Sequence, residues 1–284
     1  MERANMACSE GCQSSFNQGP LWDMHIEDSP ILATAIHQGH GLSQQAQHNS
    51  ALTNASRLRE EDPFTGTWAE IAPSRIVVNR SRFDLDLNRD RLRAVYRQPE
   101  HAWGLDLWHE PPTRAQVLAN MHLYNAFYST LESLLGLMEQ RWGYFVVLDI
   151  HSYNHRRGGM QAPVDDPLHN PEINIGTGTL SNRAMWEPLL AEFMQDLRQF
   201  DFNGRMLDVR ENQKFQGGEM ARWIHSRFPF AACVISIEVK KFFMDEWTGL
   251  KDEALFQQIG QALSATLPSL FRHLASMQEQ RPME

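Results

Sequence analysis

Short runs of apolar, often β-branched residues alternate along this chain with long amphipathic stretches, the pattern of a mostly parallel sheet covered by helices. Ile31 to Ile36 (ILATAI) gives way to HQGHGLSQQ, so a strand there delivers His37 to a polar loop. Ser74 to Val78 (SRIVV) predicts a second strand. It leads into NRSRFDLDLNRDR, which is too charged for a core strand and reads as a functional loop. Tyr144 to Ile150 (YFVVLDI) is the strongest buried-strand signal and ends at His151 and Ser152. Ala231 to Val239 (AACVISIEV) is a further strand, interrupted near its end by Glu238. Open α/β sheets bind ligands at the carboxyl ends of their strands, which is where this polar chemistry falls.

Helical spacing predicts a long helix from Pro112 to Arg141, with Leu118, Met121, Leu123, Phe127, Leu131, Leu134, Leu135 and Met138 on its apolar face. A second covers 181–200 with Ser181 as its cap, and a final one runs unbroken from Lys251 to about Met277. Ser43 to Asn54 reads as an exposed loop or frayed helix, and Pro63 to Pro73 as irregular structure.

With 284 residues, 42% of them hydrophobic, the chain can bury one large core, and a single domain is expected. A net charge of −9 offers no basic field for nucleic acid. No apolar run approaches the roughly 18 residues that span a bilayer, and the N-terminus lacks a signal peptide's apolar core, so neither nucleic acid nor membrane is an expected partner and the expected location is cytoplasmic. Three cysteines make no disulfide framework. Cys8 and Cys12 lie in a stretch rich in Ser, Gly and Gln that reads as a mobile N-terminal segment, two thiolates without a third ligand being an incomplete metal site. Cys233 reads as a small buried hydrophobe.

Three imidazoles follow predicted strands: His37 and His40 after one, His151 after another. A catalytic zinc uses three protein ligands and leaves a fourth position open, often with a close pair and a distant third. His37 and His40 would be the pair and His151 the third, with Asp149 orienting an imidazole. A carboxylate from Arg59-Glu60-Glu61-Asp62 can instead replace His40. Asn88 and Arg89 offer an amide and a planar guanidinium suited to gripping a carboxylate. Glu238, a carboxylate inside an apolar strand, is costly unless it is paired, as by a salt bridge to Lys240, Lys241 or an arginine, or used by a site, and beside a metal it would serve as general base.

In order, His37-Gln-Gly-His40, SRFDLDLNR, Leu148-Asp-Ile-His-Ser152, Asn174-Ile-Gly-Thr177, Phe215-Gln-Gly-Gly218 and Ile237-Glu238-Val-Lys240 resemble the N-formylglutamate amidohydrolase family over roughly residues 30 to 250. That family is related to the zinc carboxypeptidases and to the aspartoacylase and succinylglutamate desuccinylase group. The resemblance implies a three-layer α/β fold with a mixed, mostly parallel central sheet (phosphorylase/hydrolase-like). It places the amidohydrolase domain over 29–284 and leaves 1–28 as a flexible segment. It makes His37 the first and His151 the last ligand of a Zn2+ ion. The carboxypeptidases carry a glutamate three residues after the first histidine, where this chain has His40. Arg82 resembles the arginine that polarises the scissile carbonyl, Asn88 and Arg89 the pair that holds the substrate carboxylate, and Glu238 the general base. The implied substrate is a small anionic N-acyl amino acid, N-formyl-L-glutamate by default. A carboxypeptidase-like peptidase, another N-acyl amino acid deacylase, or a metal-binding protein without turnover are the alternatives.

Overall fold

The computed structural model describes residues 20–280. Cys8 and Cys12 lie outside them. The strands are β1 (Trp22–His25), β2 (Ile31–Ala35), β3 (Ser74–Val78), β4 (Phe145–Tyr153), β5 (Ile173–Gly176), β6 (Val209–Glu211) and β7 (Ala232–Lys240). They form one sheet in the order β1-β3-β2-β4-β7-β5-β6. The central strands β3, β2, β4 and β7 are parallel, β1 joins one edge antiparallel, and β5 with β6 is antiparallel to β7. The sheet is thus mixed and mostly parallel within a single α/β domain.

The helices are α1 (Gln44–Asn49), α2 (Asn54–Glu60), α3 (Thr65–Ala69), α4 (Arg114–Trp142), α5 (Arg183–Gln199), α6 (Glu219–Arg227), α7 (Glu253–Ala265) and α8 (Leu267–Glu279). Strand residues divide between two cores with a period of two. Val146, Leu148 and Ile150 pack with Trp68 and with side chains of α5, α7 and α8, whereas Phe145 and Val147 pack with α4 and α6. On β7, Cys233, Ile235 and Ile237 join the first core and Ala232 and Val234 the second. Continuing that alternation puts Asp149, His151 and Glu238 on the α4/α6 face, where the parallel strands end.

Several expectations change. Trp22–His25 falls within the segment 1–28 expected to lie outside the domain, yet it pairs with β3 as an edge strand. The last helix is two, because Pro268 near the start of α8 lacks the N–H an unbroken helix would need. Thr65–Ala69 is helical rather than irregular, and the cap of α5 is Asn182, not Ser181. Phe127, Leu131, Leu135 and Met138 are buried as expected, but in the first half of α4 the buried stripe runs through Val117, Asn120 and Tyr124, which leaves Leu118 exposed. α4 starts at a reciprocal cap between Thr113 and Gln116 and stops at Gly143, whose φ of 75° favours glycine. Cys233 is a buried free thiol whose pKa burial pushes up, as suits a core residue. Among the described residues, no helix is long and apolar enough to cross a membrane.

Candidate active site

His37 stands just beyond the carboxyl end of β2, and His151 lies near that of β4, in register with Glu238 on β7. The two imidazole rings are 4.9 Å apart. The third member of the group is Asp62, the first residue past the cap of α2. Pro63 restricts Asp62 to extended conformations, and the Asp62 N–H donates to the His37 carbonyl at 3.0 Å, which ties the two loops together. Asp62 Oδ2 lies 2.9 Å from His151 Nδ1 and 3.5 Å from His37 Nδ1.

The other ring nitrogens are held from behind. His37 Nε2 donates to Asp86 Oδ1 at 2.7 Å. His151 Nε2 is 3.1 Å from Asp149 Oδ2, although neither atom makes an aligned hydrogen bond. Such backing fixes the ring, and once Nδ1 gives up its proton its lone pair would face a cation. Donors about 2.1 Å from a tetrahedral zinc stand about 3.4 Å apart, close to both Asp62 separations. His37, Asp62 and His151 therefore fit a divalent cation in donor type, spacing and burial.

His40, expected as the second ligand, is not brought into this group. Gly39 lies against the Asn79 and Arg80 backbone, where a Cβ would collide, and Gly41 bonds to Asn79, so the turn carries His40 away. There its Nδ1 donates to Glu61 and its Nε2 accepts from Arg57 at 3.1 Å, which leaves no lone pair free. Glu61 is also committed, to His40, Ser81 and Arg57. Of the carboxylates left open in the sequence, Asp62 is the one beside the histidines.

His37, Asp62 and His151 line a cleft of about 370 Å³ together with Arg82, Asn88, Arg89 and Glu238; His40 does not line it. Arg82 donates to Asp86 Oδ2 at 3.0 Å, while its buried Nε has no partner. Asp86 thus bridges Arg82 to His37 and accepts Tyr96 Oη as well. The loop bearing Asn88 and Arg89 is braced by α4: Tyr128 Oη donates to the Leu87 carbonyl at 2.6 Å and Tyr124 Oη to that of Arg89 at 3.0 Å. Asn88 Oδ1 accepts from the N–H of Met220 in α6 at 3.1 Å. Gly218 is glycine for that reason, since a Cβ would collide with the Asn88 amide, and Gly217 has a φ of 110°. The Phe215-Gln-Gly-Gly218 motif is thereby a seat for Asn88.

Electrostatically, the site concentrates negative charge. Asp62, Asp86, Asp149 and Glu238 surround two imidazoles and Arg82. Burial alone would raise Asp62, but hydrogen bonds from His151 and His37 carry it far below the usual carboxylate range. Asp86 is likewise held low by Arg82 and His37 against burial. Burial works to lower His151, yet Asp149 and Asp62 raise it well above its ordinary value. Glu238 is the exception: burial pushes it up to about 8, with His151 pulling the other way and Asp62 and Asp149 adding to the rise. A carboxyl poised near neutral pH in a cleft is suited to taking and returning a proton.

Lys241 and Lys214 carry no signal in the local pattern. Lys241 is buried at the end of β7 and donates to the carbonyls of Arg59 at 2.6 Å and Glu61 at 2.7 Å, anchoring the turn that presents Asp62. Lys214 lines the cleft from the loop after β6, held by Asn170 and 4.9 Å from the Tyr153 ring.

No curated protein matches the sequence. Among solved structures, an N-formylglutamate amidohydrolase from Ralstonia eutropha is similar, with 16% identity, a TM-score of 0.68, and coverage of 91% of this chain and 98% of that one. A gene product from Agrobacterium tumefaciens is similar at 18% identity, with a TM-score of 0.58 and 91% and 96% coverage. These likenesses show the fold. The family model described as N-formylglutamate amidohydrolase matches residues 29–243, a stretch that spans every group just described, from His37 to Glu238, and the chain belongs to that family.

Proposed function

We propose that this protein hydrolyses the amide bond of an N-acyl amino acid, most simply N-formyl-L-glutamate to formate and L-glutamate, with Zn2+ on His37, Asp62 and His151. The observation that carries the reading is that these three donors share one cleft with Glu238, whose carboxyl burial pushes up, and with Arg82, Asn88 and Arg89. A zinc ion in this set would supply Lewis acidity, polarising the acyl carbonyl and making water easier to deprotonate.

The chain's own residues account for the remaining steps. Glu238 takes a proton from the attacking water as its oxygen bonds to the acyl carbon and the carbonyl electrons move onto oxygen. Arg82, pinned by Asp86 with Nε unpartnered, stabilises that oxyanion, and preorganised donors of this kind contribute about 3 to 4 kcal/mol. As the C–N bond breaks, its electron pair goes to nitrogen and Glu238 returns the proton to the amine. Asn88 and Arg89 hold the α-carboxylate. Lys214, with an amide rather than a carboxylate as its hydrogen-bond partner, is free to meet a second carboxylate. A small anionic substrate fits a cleft of this volume, and a cytoplasmic location fits small-molecule catabolism.

The test is formate release from N-formyl-L-glutamate by the zinc-loaded protein, run against amino-acid release from dipeptides and deacylation of N-acetyl amino acids. Turnover of dipeptides alone would replace this reading with a peptidase. Zinc binding without turnover of any substrate would leave only a metal-binding protein.

A further inference from the structure

Trp103 stands on the rim of the cleft with no part in metal binding, proton transfer or carboxylate capture. It follows a single 3-10 turn, Pro99–Ala102, and sits in the left-handed region at φ 56°, ψ 26°. A bulky L-residue meets a steric penalty there, and such strain persists where the surroundings hold it in place for a purpose. Burial does not compensate for it. Trp103 is 47% exposed and lies outside the small core of Phe83, Tyr96, Ala102 and Leu107.

Its neighbours are the two arginines of the site. Arg82 Cζ lies 4.9 Å from the indole centroid and Arg89 Cζ 6.0 Å, both within cation–π reach, while the Tyr96 ring meets the indole edge-on at 6.3 Å. Arg82 is thus held at two points, by Asp86 through an N–H and by Trp103, over whose ring its Cζ lies. Arg89 has only a loose approach to Asp86, 3.7 Å from Nε, and is 40% exposed. An aromatic face over a guanidinium leaves the in-plane N–H groups free for an anion, which a carboxylate in the same place would not do.

We propose that Trp103 is a positioning residue. Its indole holds Arg82 and Arg89 at the cleft mouth with their N–H edges available to the substrate. The inference rests on the function proposed above for the identity of the substrate, but not for the binding of a carboxylate.

The experiment compares wild type with Trp103→Phe, Trp103→Leu and Trp103→Gly by calorimetric binding of glutarate, a dicarboxylate with no bond to hydrolyse. Kinetics on N-formyl-L-glutamate and thermal unfolding accompany it. Trp103→Leu should weaken glutarate binding and lower kcat/KM about 3- to 30-fold, and Trp103→Phe should recover most of the loss. The unfolding temperature should be unchanged in Trp103→Leu and unchanged or higher in Trp103→Gly, since glycine suits the left-handed backbone. Equal glutarate affinity in wild type and Trp103→Leu, or a Phe variant as impaired as the Leu variant, would overturn the proposal. So would a loss of binding that merely tracks a loss of stability, or a wild type that binds no glutarate. A wild type that binds glutarate in a Trp103-dependent way but turns over no N-acyl amino acid supports this inference and removes the function proposed above.

Discussion

Replacing Glu238 with glutamine should make the metal-free protein more stable at alkaline pH while slowing turnover by the zinc-loaded one. The carboxyl ionises near its ordinary 4.5 in the unfolded chain, but burial holds it protonated up to about 8 in the fold. Between those values the folded state binds the extra proton, so rising pH favours unfolding. The contribution is complete below pH 4.5 and is lost as pH climbs through 8. At about 1.4 kcal/mol per unit, wild type forfeits of order 5 kcal/mol across the window, and the neutral glutamine forfeits none of it. Urea unfolding of chelator-treated protein at pH 5 and 8.5 measures the difference, and the advantage of Glu238→Gln over wild type should widen by most of that amount. The zinc-loaded variant should lose about 10²- to 10⁴-fold in turnover, the usual worth of a positioned general base. A stability gap that stays constant from pH 5 to 8.5 would refute the reasoning, because Glu238 would then titrate alike in both states. A bound cation favours the carboxylate form, so zinc should narrow the gap.

Asp62→Asn should lower zinc affinity by tenfold or more, whereas His40→Ala should keep full stoichiometry; metal content after dialysis decides, and equal loss in both would return His40 to the ligand set. Lys214→Met should raise KM for N-formyl-L-glutamate about 10- to 100-fold, the worth of a charged hydrogen bond, and leave N-formyl derivatives of neutral amino acids nearly unchanged. A uniform effect on both substrates would count against a second carboxylate at Lys214. Gly218→Ala should cost about 1 to 3 kcal/mol in urea unfolding and raise KM, because the added methyl displaces the Asn88 amide. Unaltered KM would separate Asn88 from substrate binding.

Much of the site was legible because strand periodicity is a local property. A run such as YFVVLDIHS can only be a buried strand whose end carries a histidine, and an acid within ISIEV is conspicuous whatever surrounds it. The SRFDLDLNR loop declared itself by charge. The short strands β1, β5 and β6 did not, having three or four residues each, with VRE two-thirds charged. The break between α7 and α8 was signalled by Pro268 but masked by the amphipathic spacing that continues through it.

His40 and Asp62 mark the boundary between the two kinds of knowledge. Sequence by itself determined an α/β sheet, the strand ends bearing His37, His151 and Glu238, and a family resemblance that made a metal hydrolase the natural expectation. It could not rank His40, Glu61 and Asp62, because all three are chemically able to bind a cation. Only the tertiary structure decided among them. Gly39 packs against the backbone after β3 and swings His40 toward Arg57 and Glu61, while Pro63 and Lys241 set the turn that points Asp62 between the two imidazoles. Which of several competent ligands converges on one point depends on contacts between segments far apart in the chain, and local pattern holds no record of those.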